Sequence, residues 1–104
     1  MNVHDNILGL IGNSPLVKLN QVTKDIPATV YAKLESYNPG HSTKDRIALH
    51  IIENAERQGI LKSDSVIVET TSANTGFSIA MVCMVKGYKC IIAVSDKTKA
   101  EKIA

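Results

Sequence analysis

Short apolar runs recur along the chain, separated by polar stretches or helical patterns. Residues 15–19 and 29–34 are typical of strands on either side of a polar stretch. Residues 65–68 and 89–94 are almost continuously apolar, as in strands that are buried on both faces. The pattern therefore predicts strands at these four places.

Two helices are predicted between the strands. After a turn at residues 38–40, apolar residues recur at spacings of three and four, with charged residues on the other side, up to Gly59. These apolar positions are Ile47, Ala48, Ile51, Ile52 and Ala55. A second, almost uncharged helix is predicted over Asn74–Lys86 and stops at Gly87, and residues 97–104 begin the pattern of another.

The alternation of strands and helices predicts an α/β fold. We expect a parallel sheet with helices on both faces, in three layers, joined by right-handed crossovers. The 104 residues fit a single α/β region spanning residues 1–104. Because the last residues open a helix with no strand after it, we expect this region to be the N-terminal part of a longer protein.

Composition narrows the class of protein. With 44% hydrophobic and 21% charged residues, the chain has the make-up of a packed domain rather than a disordered one. The formal net charge is only +2 and the basic residues are spread out, so we expect no nucleic-acid partner. The longest nearly apolar run, residues 77–85, is too short to cross a bilayer, and the N-terminus does not resemble a secretory signal. We expect a cytoplasmic protein without a membrane partner.

Cys83 and Cys90 lie inside apolar stretches with no histidine or further cysteine at metal-ligand spacing. We therefore expect reduced, buried thiols and no metal site.

The loop before the first helix contains Lys44. Ser42 is a natural N-cap, and Asp45 three residues later completes a capping-box pattern. Lys44 then falls in the first helical turn, where the helix dipole disfavours an ammonium. A lysine that is also desolvated there would present the neutral amine, the nucleophile in Schiff-base formation. The same position also suits a lysine that simply points into water.

The loop before the second helix is rich in hydrogen-bonding groups. Thr71, Ser72, Asn74 and Thr75 provide three hydroxyls and an amide at a helix start, which suits a carboxylate or phosphate as well as an ordinary helix cap. If the preceding strands are adjacent and parallel, both loops meet at one edge of the sheet.

Three ordered motifs carry a family resemblance. They are Ile11-Gly12-Asn13-Ser14-Pro15-Leu16-Val17, Asn38-Pro39-x-x-Ser42-x-Lys44-Asp45-Arg46 and Thr71-Ser72-x-Asn74-Thr75-Gly76. In content and spacing they resemble the pyridoxal-phosphate enzymes of the cysteine synthase and cystathionine β-synthase family, over roughly residues 7–103. The related serine/threonine dehydratases usually have Ser-x-Gly-Asn-His in the second loop, which Asn74-Thr75-Gly76 does not match.

The resemblance implies the cofactor, the reaction and the site. Lys44 is expected to form the Schiff base with pyridoxal 5'-phosphate and to move the substrate α-proton, and Asn74 to bind the cofactor's ring hydroxyl. Thr71, Ser72 and Thr75, together with Asn74, are expected to hold the substrate. The implied reaction is β-replacement on a serine-derived amino acid in cysteine metabolism, by a lyase or transferase. Separately, sheet edges and apolar faces that the rest of a family member would cover are expected to be exposed, so we expect the isolated chain to form a homodimer or larger assembly.

Several features depart from the family pattern. Ala73 stands where the family usually has glycine, and His41 occupies a variable position that we interpret as an exposed loop residue. Family members are longer and hold a phosphate cradle outside the matching region, so we expect the 104 residues alone to be inactive. The alternatives are a non-catalytic remnant or interaction module that keeps the fold, and a small-carboxylate binding domain without cofactor.

Overall fold

The structure, a computed structural model, describes residues 2–71 and 74–95. The strands are β1 (Leu16–Lys18), β2 (Tyr31–Lys33), β3 (Val66–Thr70) and β4 (Lys89–Ala93). The helices are α1 (Lys44–Arg57) and α2 (Asn74–Lys86), with short 3-10 turns at Ile7–Leu10 and Glu35–Tyr37. The helix expected over residues 97–104 lies outside the described residues. No helix in the described ranges combines the length and the apolar character needed to cross a membrane.

Strands β3 and β4 form the predicted parallel sheet. Val66 is in register with Lys89 and Thr70 with Ala93, and α2 provides the crossover between them. The α/β class is thereby confirmed. Within the described residues the helices cover one face of this sheet, whereas Val68 and Ile91 on the other face are 65% and 57% exposed.

Strands β1 and β2 form a separate antiparallel hairpin. Leu16 pairs with Lys33 and Lys18 with Tyr31, and in the described residues neither strand joins β3 or β4. The expectation that both loops follow adjacent parallel strands is therefore wrong for β2. Strand β2 pairs with β1 instead. No helix lies between these two strands, and antiparallel neighbours, unlike parallel ones, need no crossover helix.

The two helices run parallel, side by side. Near their first turns Asp45 bonds to Ser78, and near their last turns Lys86 bonds to Glu56. Between these links lies a core of five buried side chains. The core comprises Ala48, Ile52, Ile79, Val82 and Cys83.

Helix α2 is almost uncharged because it packs on α1 and also on the β3–β4 sheet. Helix α1 is amphipathic because Ala48 and Ile52 face this core while Ile51 and Arg57 are exposed. This packing places the first turns of both helices on the same side of the molecule.

Candidate functional site

Lys44 is the first residue of α1. Its backbone N–H donates to the Ser42 hydroxyl at 3.1 Å. The N-cap position is Thr43, whose side chain makes no cap hydrogen bond, so the predicted N-cap, Ser42, lies one residue earlier and still bonds to the first turn. The residue is half-buried, and within the described part of the chain its Nζ forms no hydrogen bond or ion pair. The side chain is therefore not held by another group among the described residues and can be directed to a ligand.

The carboxylate of Asp45 does not complete the predicted capping box. Its Oδ2 accepts the Gly40 N–H and its Oδ1 accepts the Ser78 hydroxyl, both at 2.5 Å, rather than the N–H of Ser42. The loop turns back before the helix through a bond from His41 N–H to the Asn38 carbonyl at 2.8 Å. This turn brings Gly40, instead of Ser42, to the carboxylate.

The predicted carboxylate loop joins β3 to α2. Thr71 is half-buried, and its N–H donates to the Ala93 carbonyl at 3.0 Å, which continues the β3–β4 pairing. Asn74 is exposed at the first position of α2 and Thr75 is half-buried beside it. Ser72 and Ala73 lie outside the described residues, so the structure places Thr71, Asn74 and Thr75 at this helix start.

The helices, rather than adjacent parallel strands, bring the two loops together. The bond between Asp45 and Ser78 joins the first turn of α1 to the second turn of α2. Because the helices run parallel, their N-terminal ends, which carry the positive end of each helix dipole, lie on the same side. Lys44 on one helix and Asn74 on the other therefore belong to one end of the helix pair.

The residues at this end could bind two groups of pyridoxal phosphate. The cofactor carries an aldehyde, which requires a free amine, and the Nζ of Lys44 is such a group among the described residues. It also carries a ring hydroxyl, which the exposed Asn74 amide can bind. Lys44 and Asn74 are therefore the residues of the described chain that would hold it.

A polar network at the start of α1 was not predicted from the sequence. Arg46 donates from Nε to both carboxylate oxygens of Glu35, at 2.9 and 3.1 Å, and from a terminal nitrogen to the Gly12 carbonyl and the Ser14 hydroxyl. Asn38, which is buried, accepts the Gly12 N–H at 2.8 Å and donates to Glu35 Oε2 at 2.7 Å. The network joins the first two motifs to the start of α1.

The Arg46 guanidinium, assisted by Asn38 and Ser14, lowers the pKa of Glu35 from 4.5 to about 2. Arg46 and Asn38 belong to the second motif and Ser14 to the first. The presence of both motifs in the sequence was therefore the feature from which this network could have been predicted.

The histidine interpreted as a loop residue is confirmed as one. His41 is exposed, with φ at 66°, a left-handed conformation in which a side chain is strained. Its Nδ1 lies 3.3 Å from the Ser36 carbonyl oxygen. The structure gives it no role at the helix starts.

The two cysteines are free thiols, as predicted, but only Cys83 is fully buried. Cys83 is buried in the core and Cys90 is half-buried beside it. Burial, together with the neighbouring Cys90, raises the pKa of the Cys83 thiol from 9.0 to about 12. Cys83 is therefore a core side chain and not a nucleophile.

Comparison with known proteins places these features in a family. Residues 7–104 match the family model described as pyridoxal-phosphate dependent enzyme. The chain is 51% identical over 98 residues to a cysteine synthase of Staphylococcus aureus, a match that covers 94% of this chain and 32% of the relative. It is 50% identical over 101 residues to a cystathionine beta-synthase of Apis mellifera, covering 95% of this chain and 20% of the relative.

A solved structure shows the same backbone arrangement. A hydrogen sulfide-producing enzyme from Fusobacterium nucleatum matches with a TM-score of 0.92 and 48% identity, over 99% of this chain and 34% of that one. The chain thus spans about a third of the length of the cysteine synthase and of this solved structure.

Proposed function

Because the chain belongs to the family of pyridoxal-phosphate dependent enzymes, we propose that it carries the lysine and the carboxylate loop of a β-replacement enzyme. The reaction exchanges the β-substituent of a serine-derived amino acid for a sulfide or thiol. The observation that carries this proposal is the Lys44 amine, uncommitted within the described residues, beside the helix start that bears Asn74 and Thr75.

The names of the relatives support the sulfur chemistry. The two sequence relatives are called cysteine synthase and cystathionine beta-synthase, and the solved structure is called a hydrogen sulfide-producing enzyme. Both sequence relatives are about half identical to this chain across nearly all of it. We extend from them only the reaction class, since this chain covers a minor part of each.

The proposed roles follow from the chemistry of each side chain. Pyridoxal phosphate, when bound, supplies the electron sink that stabilises negative charge at the substrate α-carbon. The Nζ of Lys44 would hold the cofactor through its aldehyde carbon and, when released by the substrate amine, would take and return the α-proton. The Asn74 amide would bind the ring hydroxyl. The hydroxyls of Thr71, Ser72 and Thr75, with the backbone N–H groups of Ser72 and Thr75, would hold the α-carboxylate.

Reductive trapping tests the central residue. The full chain is incubated with pyridoxal phosphate and then with borohydride, and peptide mass mapping locates the pyridoxyl group. We expect labelling at Lys44 and its loss in Lys44→Ala. Lys62→Ala is the matched control, because Lys62 is an exposed lysine between α1 and β3 and should leave the labelling intact. Labelling spread evenly over the lysines would contradict the proposal.

The reaction class needs its own assay. Because the 104 residues alone are expected to be inactive, the assay uses a chimaera in which they replace the matching third of a cysteine synthase. An O-acylated serine is supplied with sulfide, and release of the acid is compared with formation of cysteine. Equal amounts of both products, absent in Lys44→Ala, are expected for β-replacement. Formation of pyruvate and ammonia without cysteine would instead indicate elimination.

An interaction module is the second candidate, favoured by one specific observation. The outer face of the β3–β4 sheet exposes Val66, Val68 and Ile91, and exposed apolar surface of this kind favours association. A homodimer is expected from the same surface, and light scattering on Val68→Lys compared with the unaltered chain tests it. Failure of Lys44 labelling together with association through this face would favour the module over the enzyme.

We also propose a cytoplasmic location for the protein.

A further inference from the structure

The carboxylate of Asp45 is fully buried without a cationic partner. The side chain is 0% exposed and, among the described residues, forms no ion pair, because the adjacent Arg46 is paired with Glu35. A buried carboxylate is costly unless both oxygens are hydrogen-bonded. Here the Gly40 N–H and the Ser78 hydroxyl satisfy them.

The carboxylate is also closely enclosed. A Cβ atom at Gly40 would overlap the Asp45 carboxylate, so this position accepts only glycine unless the aspartate moves. The side chain is therefore held by the loop on one side and by α2 on the other.

The bond between Asp45 and Ser78 lies close in the chain to the proposed site residues. Asp45 directly follows Lys44 at the start of α1, and Ser78 lies four residues after Asn74 on α2. Residues four apart lie on the same face of a helix, so Asn74 stands one turn above Ser78 on the face directed to α1. The bond consequently joins the turn that carries the lysine to the face that carries Asn74.

We infer that Asp45 and Ser78 are positioning residues. Their bond sets the distance between the two helix starts and the rotation of each helix about its axis, so that the Lys44 amine and the Asn74 amide reach one ligand. This inference rests on the proposed function, since it concerns the same cofactor. Neither residue is required to touch the cofactor. Loss of the bond should slow capture of the aldehyde by Lys44 while leaving the lysine itself intact.

Three variants separate positioning from folding. Ser78→Ala removes the link to α2 but leaves the bond from Gly40 to Asp45. Asp45→Ala removes both links. Asp45→Asn retains both, because its oxygen can accept the Gly40 N–H while its amide donates to the Ser78 oxygen. Ser65→Ala is the matched control, since it removes a serine hydroxyl that accepts the Lys62 N–H at the opposite end of β3.

Two measurements are made on the full chain of each variant. The first is the rate of borohydride-trapped labelling of Lys44 by pyridoxal phosphate. The second, made without cofactor, is hydrogen exchange at the Gly40 amide, which reports whether the loop and the start of α1 remain folded.

In Ser78→Ala the labelling rate is expected to be about tenfold lower, which matches the usual coupling free energy between contacting side chains. The Gly40 amide should remain protected from exchange in this variant. Asp45→Ala should lose both labelling rate and protection, whereas Asp45→Asn and Ser65→Ala should resemble the unaltered chain. Unchanged labelling in Ser78→Ala and Asp45→Ala overturns this inference and leaves the proposed function standing. A deficit in Asp45→Asn equal to that of Asp45→Ala also overturns it, because charge rather than position would then be required. An unaltered chain that never labels at Lys44 overturns the proposed function and this inference together.

Discussion

Arg46 and Glu35 form an ion pair in which Nε lies 2.9 Å from Oε2. The pair links α1 to the short helical turn that precedes the Lys44 loop. The same guanidinium reaches the Gly12 carbonyl at 2.9 Å, so one side chain joins three separate segments of the chain. Both partners are partly exposed, so the pair fixes the relative positions of these segments but contributes little to the free energy of unfolding.

This ion pair predicts a pH dependence at low pH. Hydrogen bonding from Arg46 lowers the pKa of Glu35 from 4.5 to about 2. The ion pair's contribution to the free energy of unfolding should be complete above pH 4.5 and be lost as the pH falls through about 2. Over that range the unfolded chain binds a proton at Glu35 more readily than the folded chain, in which Arg46 favours the carboxylate. Side-chain NMR titration of Glu35 measures this directly. Arg46→Gln should move the midpoint up toward 4.5, and a midpoint near 4.5 in the unaltered chain would contradict the ion pair.

Two adjacent isoleucines on α1 should differ sharply in their contribution to stability. Ile52 is 3% exposed in the core, whereas Ile51 is 54% exposed. Ile52→Ala should lower the free energy of unfolding by about 2–5 kcal/mol, because it removes buried methyl groups and leaves a cavity. Ile51→Ala, the matched control, should change it by about 0.5 kcal/mol or less. Urea denaturation measures both, and equal losses would mean that α1 does not direct Ile52 toward the core and Ile51 toward solvent.

Gly76 in the third motif is predicted to be a packing residue. It is buried in α2, where an added Cβ would overlap the Thr71 methyl group and lie 3.0 Å from the Ile92 methyl group. Gly76→Ala should therefore lower the free energy of unfolding by about 1–3 kcal/mol, although alanine is the better helix former.

Thermal denaturation of Gly76→Ala, with and without Thr71→Ser, tests this packing. Serine keeps the hydroxyl but lacks the obstructing methyl group, so the second substitution should recover part of the loss. A Gly76→Ala chain as stable as the original would show that β3 and α2 are farther apart.

The Cys83 thiol should resist alkylation in the folded chain. Burial raises its pKa to about 12, so almost none is thiolate at neutral pH. In Cys90→Ser, where Cys83 is the remaining cysteine, iodoacetamide should react much more slowly than it does with the same variant in urea. Mass spectrometry follows the reaction, and equal rates in the two conditions would place the thiol at the surface.

The secondary structure was largely predictable from local patterns. Helix α2 has the predicted bounds of Asn74–Lys86, because an uncharged run between a polar loop and Gly87 has few alternatives. Strand β4 was predicted over residues 89–94 and ends one residue earlier, at Ala93. The Lys44 loop was recognisable for a similar reason, since Ser42 and the polar residues around it have strong local preferences.

The pairing of β1 with β2 and the partners of Asp45 were not predictable in this way. Asp45 fits a capping box in the sequence, yet it bonds to Ser78, 33 residues away. Arg46 has the pattern of an exposed helical residue, yet it bonds to Ser14, 32 residues away. Such bonds depend on which elements become neighbours.

The sequence by itself therefore determined the helices, the strands and the residue types of the two loops, because these follow from periodicity, capping and turn preferences within a few residues. The tertiary structure alone decided that the loops meet through parallel helices and that a buried aspartate joins them. Those relationships arise from packing, in which side chains distant in the chain satisfy one another's hydrogen bonds once water is excluded.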